Sequence, residues 1–208
     1  MQLRQAVAAL DHILTTLKVH PKNIQITGDS AGGNLAVALL SHLIHPLEGV
    51  PRLALSSPIK GAYLMSPWFC LTADKASLAY NDTRDAVGAS TYVSCARQVL
   101  AGGVPQSIYP YLVATTTSEG WFVGIDRVVE RILVTTGELE CLRDETLVVA
   151  KRMGSFHDQM KIVVQEKGVH NDPFFDFLAG EKELCTLTPV ILEWVSEGFA
   201  KRRENFVM

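Results

Sequence analysis

The sequence has no apolar run approaching the ~20 residues that a bilayer-spanning helix needs. Its first residues lack the charged and apolar regions of a secretory signal. Neither sign of charge dominates: 19 Lys and Arg stand against 22 Asp and Glu, a formal net charge of −3. That balance leaves no electrostatic footprint for nucleic acid. Cysteine is scarce. Cys70, Cys95, Cys141 and Cys185 are too far apart for a CxxC pair, which excludes the common zinc and redox motifs. Free thiols in a reducing, cytoplasmic compartment are the expectation. Internal repeats and low-complexity tracts are absent as well.

What is present suits one domain with a sizeable core: 208 residues, 48% of them hydrophobic. Mean hydropathy is +0.16, as strands buried on both faces produce. Leu3, Val7, Leu10, Ile13, Leu14 and Leu17 recur at helical spacing, and His20-Pro21 ends that helix. A strand is predicted over 23–27. A helix carrying Leu35, Leu39, Leu40, Leu43 and Ile44 follows and stops before Pro46. Pro46, Pro51 and Pro58 mark a connection, and 61–67 holds a second strand around Ala62-Tyr63-Leu64-Met65. The stretch 70–124 shows no clear strand and one helix near 90–100. Strands at 131–135 and 161–165 flank a helix over 144–158. A last helix opens at Thr188-Pro189, a cap followed by a first-turn proline, with Ile191, Trp194, Val195 and Phe199 on its apolar face. Lys201-Arg202-Arg203 sits where it favours the negative end of that helix. Strands alternating with helices predict a mostly parallel sheet covered on both faces.

The sharpest feature is Gly28-x-Ser30-x-Gly32. The motif directly follows a strand and opens a helix, the context of a nucleophile elbow. A turn that tight strains the serine and demands small neighbours. Gly28, Gly32 and Gly33 meet the demand, the last two by letting the helix pass close to the sheet. Ser30 then stands at a helix N-terminus, where the Ala31 N–H and the helix dipole favour a developing oxyanion. The plainer alternative is a glycine-rich turn without chemistry.

A serine nucleophile needs a base, and the base needs an orienting carboxylate, in the chain order Ser, acid, His. His170 alone follows the last strand, at the carboxyl ends of the sheet where α/β sites are built. His12, His20, His42, His45 and His157 read as structural. After the third strand Glu138, Glu140, Asp144 and Glu145 compete. Asp144 and Glu145 open a helix, where acidic residues serve capping alone. Glu140 ranks first and Asp144 is the alternative acid.

Gly-Asp-Ser-Ala-Gly-Gly-Asn at 28–34, Ser66-Pro67-Trp68, the run from Gly137 through Arg143-Asp144, and Val169-His170 together resemble the hormone-sensitive-lipase-like branch of the α/β-hydrolases. That branch contains carboxylesterases, lipases and steryl-ester deacetylases. The resemblance implies an α/β-hydrolase fold and a serine carboxylic-ester hydrolase acting on small or lipid-like esters. Ser30 matches the nucleophile, His170 the base and Glu140 the acid, and catalysis would run through an acyl-enzyme. Gly28, Asp29, Gly32 and Gly33 match the elbow. No metal or organic cofactor is implied. The 70–124 insert matches the position of a cap or lid, and its Trp121 and Phe122 are candidates for an acyl site or for ordinary core.

Two departures stand out. The acid is usually aspartate in an Asp-Pro-Leu-Arg-Asp-like run, and here the run is Glu-Cys-Leu-Arg-Asp. The His-Gly-Gly-Gly-type loop that supplies further oxyanion donors upstream of the serine does not occur in this sequence. The expectation is a single partial domain over 1–208: the C-terminal half of a hydrolase sheet, N-terminally truncated, with the 23–27 strand as an exposed edge. Losing one oxyanion donor costs ~10²–10³ in rate. The alternative reading is therefore a catalytically impaired family member or a small-molecule-binding pseudoenzyme, against which the retained His170 argues.

Overall fold

Gly61–Met65 and Ile132–Gly137 are the two strands in which every residue is buried. Such runs form only where a strand is covered on both faces. In the computed structural model, which describes residues 2–72 and 74–200, they are the central strands β2 and β3. β1 (Gln25–Asp29) pairs with β2, and β4 (Met160–Gln165) with β3. All three pairings are parallel, in the order β1-β2-β3-β4. Parallel strands need crossovers. Helix α2 (Ala31–Ile44) follows β1, and α6 (Arg143–Gly154) joins β3 to β4.

Side-chain alternation divides the core. Ala62, Leu64, Ile132 and Val134 point to the face covered by α2 and α6, where Val37, Leu40, Val149 and Met153 meet them. Helix α1 (Gln2–Asp11) adds Val7 and Leu10 to that cluster. Tyr63, Met65 and Leu133 point the other way, onto Trp194 of α8 (Leu187–Phe199). Each fully buried Leu contributes about 1.5–3 kcal/mol.

The insert holds α3 (Ala76–Tyr80), α4 (Ala89–Leu100) and α5 (Tyr109–Leu112), and its described residues form no strand. Only α4 was predictable, because the other two are too short to display a helical period. Helix α7 (Asp172–Ala179) also escapes periodicity, since its eight residues make little more than two turns.

Several predicted boundaries move. The first helix passes into a π turn at His12–Thr16 and ends before His20. Asn23 belongs to a short 3-10 turn, so β1 starts at Gln25. Helix α6 stops at Gly154 rather than near 158. Helix α8 begins before Thr188, which does not cap it; the Thr188 hydroxyl reaches Asp176 instead. Lys201, Arg202 and Arg203 lie outside the described residues. The four cysteines are unpaired.

Candidate active site

The chain turns at Ser30 with φ 50° and ψ −119°, a conformation that residues with side chains rarely adopt. Neighbouring backbone holds it there. Ser30 N donates to Met65 O at 2.9 Å, while the Trp68 and Gly33 amides donate to Ser30 O at 2.9 and 3.1 Å. A Cβ on Gly28 would collide with the Gly32 carbonyl, and one on Gly33 would lie 2.7 Å from Pro67 Cβ. A Cβ on Gly32 would meet nothing within 4 Å. The close approach of α2 to the sheet therefore depends on Gly28 and Gly33, which corrects the part expected of Gly32's missing side chain. The Ala31 N–H is one of the first-turn donors without an intrahelical acceptor, and it lies at the positive end of α2.

A second strained serine closes β2. Ser66 has φ 46° and is buried. Its Oγ donates to Glu140 Oε1 at 2.6 Å and accepts the Asn171 N–H at 3.1 Å. Glu140 leaves the loop after β3 fully buried. Oε1 also accepts the Gly137 N–H at 2.5 Å, and Oε2 lies 3.4 Å from His170 Nδ1. Burial pushes the Glu140 carboxyl above the usual carboxylate range, and its bonds to His170, Ser66 and Gly137 oppose that rise. His170 is buried too, with the Tyr92 ring edge-on at 5.7 Å. A Cβ on Gly137 would collide with the Gly168 carbonyl, so glycine lets the histidine loop cross the end of β3.

The serine and histidine loops meet through Asn171 Nδ2, which donates to Asp29 Oδ2 at 3.2 Å. No hydrogen bond joins Ser30 Oγ to His170 among the described residues. Such bonds often tighten only when substrate is bound.

The competing carboxylates are engaged elsewhere. Asp144 accepts from Ser77 N at 2.9 Å and from Arg143 Nε at 3.0 Å. Glu138 accepts from Lys167 N at 3.0 Å. Glu145 is buried against the Phe69 and Cys70 amides at 2.7 and 3.0 Å, and burial pushes its carboxyl up to about 8. His42, His45 and His157 hydrogen-bond the carbonyls of Pro51, Trp121 and Val129. His20 accepts the Lys22 N–H, and His12 lies in the exposed π turn.

Phe122 is fully buried in the main core, and Trp121 packs beside it, donating to Ser41 of α2 at 3.1 Å. Both pack against the main core. The apolar lining near His170 comes from Tyr92 instead. Together with Trp68, Leu78, Leu100 and Leu142 it borders a cleft of about 180 Å³. Periodicity gave no warning of Ser66, Asn81 or Asp85, all of which bind the acid or histidine loop. Ser66-Pro67 at a strand end was a visible signal for the first; the other two had none. No group of three His, Cys, Asp or Glu residues poised for a metal occurs among the described residues. No described helix is long and apolar enough to cross a membrane.

A family model for the alpha/beta hydrolase fold matches residues 1–173. An esterase from Acinetobacter venetianus is 37% identical over 86 residues, covering 40% of this chain and 26% of that protein. The crystal structure of an esterase from the bacterial hormone-sensitive lipase family superposes with a TM-score of 0.64 at 26% identity, covering 81% of this chain and 51% of that one. A hormone-sensitive lipase from a metagenome library shares the fold, with a TM-score of 0.72 at 21% identity over 94% of this chain and 61% of its own. The chain thus spans about half the length of the solved structures it matches, and about a quarter of the Acinetobacter esterase. With a matching family model over most of its length, a parallel sheet in the right order and a strained serine at the head of α2, the chain belongs to the α/β-hydrolase fold family.

Proposed function

We propose that this chain carries the catalytic residues of a carboxylic-ester hydrolase acting on small or lipid-like esters. The observation that carries the reading is the buried Glu140–His170 contact at 3.4 Å, set beside a serine held at positive φ on a helix N-terminus. Ser30 Oγ attacks the ester carbonyl carbon, and its proton passes to His170 Nε2. Glu140 accepts from Nδ1, fixes the tautomer and favours the imidazolium that forms. The negative charge on the carbonyl oxygen is stabilised by the Ala31 N–H and the dipole of α2. Collapse breaks the bond to the alcohol oxygen, which takes the proton from His170. Water then attacks the acyl-Ser30 ester, gives a proton to His170, and the acid leaves with Ser30 restored. No step calls for a cofactor.

A fluorophosphonate probe and a short-chain p-nitrophenyl ester test this. Labelling at Ser30, and ester turnover abolished by Ser30→Ala, are expected. A folded sample that neither labels nor turns over supports the impaired or ligand-binding alternative instead.

A further inference from the structure

The insert over 70–124 is bonded to the candidate site. Its segment 77–85 is hydrogen-bonded to both loops that hold the proposed acid and base. Ser77 Oγ donates to Cys141 O at 2.8 Å and accepts the Asp144 N–H at 3.2 Å. Asn81 is fully buried, and its Nδ2 donates to Glu140 O at 2.9 Å and Glu138 O at 3.3 Å. Asp85 follows one helical turn later. Its Oδ2 accepts the Cys141 N–H at 2.7 Å, and its Oδ1 accepts the His170 N–H at 2.7 Å together with the adjacent Ala86 N–H.

The arrangement is specific in one respect. A single peptide unit, the carbonyl of Glu140 and the amide of Cys141, is bonded on both sides by the insert, through Asn81 and Asp85. The same Asp85 carboxylate also holds the backbone of the histidine. Acid and base come from loops after different strands, about thirty residues apart in sequence. Asp85 joins their backbones by charge-assisted bonds, which are stronger than neutral ones. A carboxylate fits this place because it accepts only, and both loops present N–H donors.

We propose that Asp85 is a positioning residue, a clamp from the insert that sets the distance between the Glu140 carboxylate and the His170 imidazole. This rests on the roles proposed above for Glu140 and His170. Removing the clamp lets the two loops move independently, and a displacement of about 1 Å at such a pair costs up to roughly a hundredfold in rate. Substrate binding, which Asp85 does not touch, is left unchanged.

The test uses the full 208-residue chain, isotopically labelled at histidine, as wild type, Asp85→Ala, Asp85→Asn, Asp82→Ala and Ser30→Ala. Asp82 is the control: it makes the same kind of bond, to the Ala89 N–H at 2.7 Å, within the insert alone. Two readouts are taken: solvent exchange of the His170 Nδ1 proton by NMR, and kcat and KM for a p-nitrophenyl ester. Asp85→Ala is expected to speed the exchange by about tenfold or more through local opening, and to lower kcat roughly ten- to a hundredfold with KM unchanged. Asp85→Asn, which keeps one acceptor oxygen, falls between. Asp82→Ala matches wild type. A folded Asp85→Ala with wild-type exchange and kcat overturns the proposal, as does an equal effect from Asp82→Ala. If Asp85→Ala does not fold, Asp85→Asn is judged by the same criteria. Turnover surviving in Ser30→Ala, or missing in the wild type, sinks the hydrolase reading, while proton exchange still decides on the clamp.

Discussion

Ser66 and Glu145 show how much a single buried polar group carries in this molecule. Ser66 Oγ satisfies one Glu140 oxygen and the Asn171 amide at once. Ser66→Ala leaves both short of a partner inside the protein, and it is expected to lower the unfolding free energy by ~1–3 kcal/mol in denaturant melts. Glu145 makes a pH-dependent contribution. Its carboxyl is raised from 4.5 to about 8 because burial penalises the charged form. The folded state therefore holds this proton where the unfolded chain has lost it. Stability from this group is complete below about 4.5 and is lost as pH rises through about 8. Glu145→Gln cannot titrate. The stability of wild type relative to that variant should fall by a few kcal/mol across this window, and a flat difference would show that Glu145 is ionised in the fold.

Among elements, the contact of α2 with β1 requires glycine at 28 and tolerates a side chain at 32. Gly28→Ala pushes a methyl into the Gly32 carbonyl, and the expected loss is about 3 kcal/mol, the upper end for overpacking. Gly32→Ala meets open space and gains up to ~1 kcal/mol from helix propensity. Thermal unfolding of the two variants separates the roles that Gly-x-Ser-x-Gly leaves merged. The strands were legible as short apolar runs between turn signals, and the long helices by their 3.6 period. Helices α3, α5 and α7 were not: two are four or five residues long, and α7 spans only eight. The start of α8 was misread because Thr188-Pro189 looks like a cap, whereas the threonine hydroxyl turns to Asp176.

At the scale of the whole molecule, the open side of β1 is an expected association surface. β1 is at one edge of the described sheet, with its free backbone groups unpaired on that side. Such an edge templates association. The exposed Phe174, Phe175, Phe177 and Leu178 of α7 add apolar surface. Sedimentation is expected to show concentration-dependent association, and Thr27→Lys, a charge on an exposed β1 position, should shift the chain toward monomer. An unchanged distribution would mean that the edge is not the contact.

The sequence alone carries the alternation of strands and helices, the elbow at Ser30 and the placing of His170 after the last strand. Each is local: periodicity, turn chemistry and chain order lie within a few residues of one another. It ranked Glu140 over Asp144 but could not choose by distance. The fold supplies the distances: Glu140 Oε2 stands 3.4 Å from His170 Nδ1, and Asp144 turns to Ser77. It also moved Trp121 and Phe122 into the core and brought Ser66, Asn81 and Asp85 to the acid and histidine loops. The reason is physical. These bonds join groups dozens of residues apart, and no local pattern encodes which buried donor will find which acceptor once the sheet has formed.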